Sequence, residues 1–240
     1  GINRSTAGKC RIEQGWDGCP PEDRDALPWT PSTGLVIRSN TVTNVGGDGI
    51  VVQMNTGALV EHNTVSDVAN LPNGSNAAVW AWNADYTLFQ YNVVTNSQKI
   101  NQNDGTAWDA DYGSRNTVFQ YNLSYDNAGG GMFYCGCGNW KIEGLGFATD
   151  ATYRYNISVG DGIAAELANI PGNVNTERFQ FLSGVTDSSS YNNTIVIPTA
   201  ARAGEYKLNG TNDTGNGLLL ANNLFVTSKE IAPDTYDSAT

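Results

Sequence analysis

Polar and apolar positions along this chain recur as a phrase, not with a helical period. One or two apolar residues, two polar or aromatic ones, an asparagine and then a small or branched residue return seven times. The phrase reads VIRSN at Val36–Asn40, LVEHN at Leu59–Asn63, LFQYN at Leu88–Asn92, VFQYN at Val118–Asn122 and TYRYN at Thr152–Asn156. It returns more loosely as SSYNN ending at Asn193 and LLANN ending at Asn223. Successive asparagines lie 23, 29, 30, 34, 37 and 30 residues apart. A period of this size marks stacked supersecondary units, each burying its apolar face against the next. The unit holds strand-like runs, so the pattern predicts an all-β chain: a right-handed parallel β-helix of about seven rungs. An asparagine at the same turn of every rung can bond to the rungs above and below, which predicts an interior ladder of Asn40, Asn63, Asn92, Asn122 and Asn156.

Between these phrases runs a second strand per rung, usually opened by Asp-Gly or a Gly pair. The segments are DGIVVQMN (Asp48–Asn55), NAAVWAWN (Asn76–Asn83), DGTAWDAD (Asp104–Asp111), GGMFYCGC (Gly130–Cys137) and DGIAAELA (Asp161–Ala168). Strand residues alternate between faces. Laying the Asp-Gly turns over one another sends Ile50, Val52, Met54, Trp80, Trp82, Trp108, Ala110, Ile163, Ala165 and Leu167 to the core. The outward face then carries Gln53, Asn55, Val79, Ala81, Asn83, Asp109, Asp111 and Glu166, with Cys135 level with Asp109. Asp109 and Glu166 would stand two rungs apart, about 9–10 Å at the backbone, and Asp111 about 6.5–7 Å along the strand from Asp109.

Composition narrows the partners. The 240 residues carry a net charge of −11, and the 13 basic residues are scattered singly, which argues against nucleic acid and anionic lipid. No apolar run approaches the roughly 18 residues of a membrane span. The repeat defines one domain over 34–228. Residues 1–33 form an irregular lead-in, stapled by a Cys10–Cys19 disulfide or left from further upstream domains, and 229–240 form a polar tail. A disulfide in that Pro-rich loop points to a secreted protein. Cys135 and Cys137 leave three connectivities open; a bridge within the CxC pair is strained, so buried free thiols are the plainer expectation. His62 is the one histidine and no CxxC occurs, so no metal centre is expected.

Candidate chemistry concentrates in Asp104, Asp109 and Asp111. Clustered carboxyl groups raise one another's pKa, which makes one an acid and another a base near neutrality. Asp104, like Asp48 and Asp161, also opens an Asp-Gly turn and can serve only its own backbone. The candidate catalytic residues are therefore Asp109, Asp111, Glu166 and Asp104, with calcium ligation or plain surface exposure as the competing roles. Trp80, Trp82 and Trp108 either pack the core or line a sugar-stacking platform. Asn83 and Asp126 are the further candidate substrate contacts. Tyr91, Tyr121 and Tyr155, with His62 in the same column, read as a structural stack.

The repeat resembles the right-handed parallel β-helix proteins of the pectin-lyase-like superfamily over nearly all of residues 34–226. The stretch DGTAWDADYGSRNTVFQYNLSYDNAGGG is similar to segments of secreted bacterial β-helix proteins that act on carbohydrate. The β-helix lacto-N-biosidases among them use two aspartates seven residues apart, a spacing that Asp104 and Asp111 share. The resemblance implies a secreted glycoside hydrolase acting on a polysaccharide or oligosaccharide without a cofactor. Two alternatives stand beside it: a calcium-dependent polysaccharide lyase, for which Lys99, Lys141, Arg115 and Arg154 form no recognisable arrangement, and a non-catalytic carbohydrate-binding module.

Overall fold

The computed structural model describes residues 31–71, 76–100, 104–111, 113–136, 148–163, 179–182, 185–198, 206–209 and 217–227. The Cys10–Cys19 loop, Glu166, Cys137 and the polar tail lie outside the described residues. Short strands fill three parallel sheets of ten, seven and seven strands among those residues. Each seven-stranded sheet takes one strand from every rung, so the chain coils as a right-handed parallel β-helix. One sheet runs from Val36–Arg38 through Leu59–Glu61, Leu88–Gln90, Val118–Gln120, Thr152–Arg154 and Ser189–Tyr191 to Leu219–Ala221. The next begins at Thr41–Thr43 and ends at Leu224–Thr227.

Two residues separate these sheets in every rung, and they are the last two letters of the repeated phrase. The first adopts a left-handed backbone: Ser39, His62, Tyr91, Tyr121, Tyr155, Asn192 and Asn222 have φ between 52° and 57°. That conformation turns the chain sharply and costs a bulky side chain about 1–2 kcal/mol. At the aromatic positions the rings recover much of this by stacking outside the corner. Centroids are 5.1 Å apart for His62–Tyr91, 5.4 Å for Tyr91–Tyr121 and 5.3 Å for Tyr121–Tyr155. Such a pair contributes about 0.5–1.5 kcal/mol beyond area burial.

The second corner residue is the asparagine, and it forms the predicted ladder. Asn122 Nδ2 donates to Asn156 Oδ1 and Phe89 O, both at 3.0 Å, while its own Oδ1 accepts from Asn92 N and Nδ2 at 2.9 and 3.1 Å. The same pattern joins Asn40, Asn63, Asn92, Asn156, Asn193 and Asn223. Asn63 to Asn193 are buried, whereas Asn40 on the first rung is exposed. A shorter ladder marks the corner after the second sheet. There Ser97 N donates to Asn127 Oδ1, and Asn127 N and Nδ2 donate to Asp161 Oδ1. Ser124 and Ser158 hydroxyls complete the Asp161 carboxyl, each at 2.5 Å. Asp161 is thus a structural acid; burial raises its pKa even against those donors. Between the sheets the core stacks Phe89 on Phe119 at 4.5 Å, with Trp108 tilted against Phe119.

Asn122→Ala removes four hydrogen bonds at a buried site, leaving Asn92 N without its acceptor. The expected loss is about 3–4 kcal/mol of folding stability. Asn40→Ala, at the exposed end, should cost under about 1 kcal/mol. Denaturant titration of the two variants checks this, and equal losses would mean that the ladder is not what holds the rungs in register.

Candidate active site

The third, ten-stranded sheet carries the site, and its register revises one expectation. Val79, Ala81 and Trp108 share the inward columns, because Trp108 pairs with Val79 and Ala110 with Ala81. Trp80 pairs with Asp109 and with Val51, so Trp80 and Trp82 point outward, not into the core. The register differs by one residue in this rung from the alternation read off the sequence, and a one-residue shift exchanges the faces of a strand. The cause is steric. At this level the core is filled by Trp108, Phe89 and Phe119, leaving room for a valine and an alanine but not for two more indoles.

The remaining candidates sort in the same way. Trp108 is fully buried in the core, so it packs and does not meet a sugar. Asn83 is also fully buried, sits at a bend with φ 47° and donates to Met54 Sδ, so it is not an outward contact. Asp126 is exposed in the left-handed corner that follows Leu123–Tyr125, on another edge of the coil from the ten-stranded sheet. Cys135 N donates to Ala110 O, and Asp109 pairs with Phe133, which places Cys135 level with Asp111 and not with Asp109. Cys135 is disulfide-bonded, which replaces the free-thiol expectation; the other three cysteines lie outside the described residues.

Asp48, Asp104, Asp109 and Asp111 come together with two tryptophans. Trp80 and Trp82, two residues apart on one face, lie with ring centroids 6.4 Å apart and planes 22° apart, forming a half-buried indole platform. Asp109 and Asp111 stand on the next rung at the same two levels. Exposure grades along this face. Gln53 is open, Trp80, Trp82, Asp104 and Asp111 are half-buried, and Phe133 and Cys135 on the following rung are closed. The carboxyl groups therefore sit where an open surface meets a covered one.

Asp109 is the most unusual of them. It is 3% exposed, and its Oδ1 has no hydrogen-bond partner. Burial drives its pKa well above the ordinary 3.8, and the charges of Asp111, then Asp104, then Asp48 push it further. Those same interactions put Asp111, Asp104 and Asp48 near it. Asp48 is held by the Ala77 amide, which donates to Oδ1 at 3.0 Å, and its pKa is raised by burial. Among the described residues, no group of three or more His, Cys, Asp or Glu side chains is placed to hold a metal ion.

Sequence relationships agree with this architecture. The chain matches the right-handed β-helix region family over residues 3–147 and belongs to that family. It is 30% identical over 211 residues to a lacto-N-biosidase of Bifidobacterium longum subsp. longum, covering 81% of this chain and 11% of that protein. Among solved structures, the GH136 lacto-N-biosidase from Eubacterium ramulus superposes with a TM-score of 0.53 at 25% identity, covering 80% of this chain and 28% of that one. A solved protein from Parabacteroides merdae shares the fold alone, with a TM-score of 0.51 at 8% identity and 85% of each chain covered. The chain thus spans about a tenth to a quarter of the lacto-N-biosidases it matches.

Asp109 makes a pH prediction with a definite sign. Its folded pKa is raised, so the native state holds a proton that the unfolded chain releases near pH 4. Its contribution to stability is full below that pH and fades as pH rises towards the folded pKa. Asp109→Asn removes this term. Thermal unfolding from pH 4 upwards should show the wild type losing stability relative to the variant, and parallel curves would mean that Asp109 is not buried as a neutral acid.

Proposed function

We propose that this chain carries the active site of a glycoside hydrolase that cleaves an oligosaccharide, with Asp104 and Asp111 as the reacting carboxyl groups. The observation that carries the reading is the carboxyl cluster beside the Trp80–Trp82 platform, half-open to solvent. A glycosidase needs one carboxylic acid to protonate the leaving oxygen and one carboxylate to act as nucleophile or to activate water. Both must reach the sugar. Asp104 and Asp111 are partly exposed, whereas Asp109 is nearly closed off, so of the candidate carboxyl groups on this rung burial favours Asp104 and Asp111 over Asp109. Their seven-residue spacing fits the lacto-N-biosidase resemblance. An uncharged Asp109 near them lets two further carboxyl groups crowd one rung with less mutual repulsion. The indole platform offers the C–H face of a sugar ring a stacking surface.

The substrate class follows the lacto-N-biosidase relatives, which makes an oligosaccharide the first choice over a long polymer. The disulfide at Cys135 fits an oxidising compartment and supports a secreted protein.

The protein incubated with a panel of neutral oligosaccharides should release new reducing ends without the ultraviolet absorbance of an unsaturated elimination product. Asp104→Asn and Asp111→Asn should each lower kcat by about 10²–10⁴-fold while melting within a few degrees of the wild type. Trp80→Ala should raise KM more than it lowers kcat, since stacking is shared by ground and transition states. Binding without cleavage would make the chain a carbohydrate-binding module, and an unsaturated product would make it a lyase.

A further inference from the structure

A buried lysine holds the turn that carries Asp104. Lys99 is 4% exposed, and its Nζ donates to the backbone carbonyl of Asp104 at 3.4 Å. The turn it touches is clamped from several sides. Ser97 Oγ donates to Gly105 O at 2.5 Å, Gly105 N donates to Asn76 O at 2.8 Å, and Gly129 N donates to Gly105 O at 2.9 Å. Packing is tight enough to require glycine at two places. Gly105 has φ 62°, and a Cβ there would lie 2.8 Å from Gln98 O and 3.0 Å from Lys99 Cβ. A Cβ on Gly129 would lie 2.2 Å from Asp104 O, overlapping it outright. Asp104 thus rides on a backbone held between the Ser97–Lys99 segment on one side and the Gly129 rung on the other.

Burying an ammonium group is costly unless charge or hydrogen bonding compensates it. A methionine would fill the same volume without that cost, so a lysine at this position asks for an electrostatic reason. Asp104, whose carbonyl Lys99 binds, is an acid of the cluster with Asp109, Asp111 and Asp48.

We propose that Lys99 is a positioning residue for Asp104: its buried ammonium pins the Asp104–Gly105 turn through the Asp104 carbonyl and sets a positive charge near that residue. Its consequence for catalysis rests on the glycosidase reading; its hold on the turn does not. Losing a nearby cation disfavours the ionised form of a carboxyl group, so the pH optimum of a Lys99→Met variant should move upwards.

The test compares wild type, Lys99→Met and Lys99→Arg by two independent readouts. Hydrogen exchange of the Gly105 amide should quicken about tenfold or more in Lys99→Met, while ladder amides such as Asn92 and Asn122 stay unchanged and Lys99→Arg restores much of the protection. On a cleaved oligosaccharide, Lys99→Met should lower kcat about tenfold or more, with KM within a few-fold and an upward-shifted pH optimum. Exchange at Gly105 and a pH profile that both match the wild type would overturn the proposal, as would loss of protection spread evenly over the ladder. If the wild type cleaves nothing yet the Gly105 effect is present, the pinning role stands and the glycosidase reading fails.

Discussion

Every rung of this coil must turn the same corner at the same place, and that constraint organises the molecule. A left-handed residue followed by an inward asparagine turns the chain between two sheets, and the asparagine amide ties that corner to its neighbours. Because each amide both donates and accepts across adjacent rungs, a displaced corner would orphan buried groups on both sides of it. The ladder therefore locks rung spacing and angular register together. Loop length between corners is then free to vary, which is how asparagine spacings from 23 to 37 residues coexist in one regular coil.

Freedom in loop length is what allows chemistry on such a scaffold. The two seven-stranded sheets are nearly uniform from rung to rung, with small or apolar residues inward. Variation falls on the ten-stranded sheet and the segments leading into it, where Trp80, Trp82, Asp109, Asp111 and Cys135 share two outward levels. Parallel stacking places side chains of successive rungs about 4.8 Å apart, close enough for carboxyl groups to perturb one another. A solenoid thus brings residues distant in sequence into a column without any special loop.

Most buried polar groups in the coil are satisfied, and Asp161 shows how thoroughly: both its oxygens accept hydrogen bonds from neighbouring rungs. Asp109 does the opposite, with an oxygen buried and unpartnered among other acids. The contrast between two aspartates at similar depth separates scaffold from site more clearly than either residue does alone. Lys99 belongs with the second, since it holds the turn that carries Asp104.

Strand identity, parallel stacking, the asparagine ladder and the clustering of carboxyl groups along Asp104–Asp111 were legible in the chain, because each rests on local periodicity or on residue types close together in it. The face of Trp80 and Trp82 was not. In VWAW every residue is apolar, so alternation alone leaves the inward set undecided; the choice fell to the volume already taken by Trp108, Phe89 and Phe119. Two further features depend on which rung lies against which: the depth of Asp109, and the level of Cys135 opposite Asp111 rather than Asp109. The sequence by itself determined that carboxyl groups would line one rung of a parallel coil. Which of them is buried and which stays open to solvent was decided only by tertiary packing, because burial depends on neighbouring rungs that lie some 20 to 40 residues away along the chain.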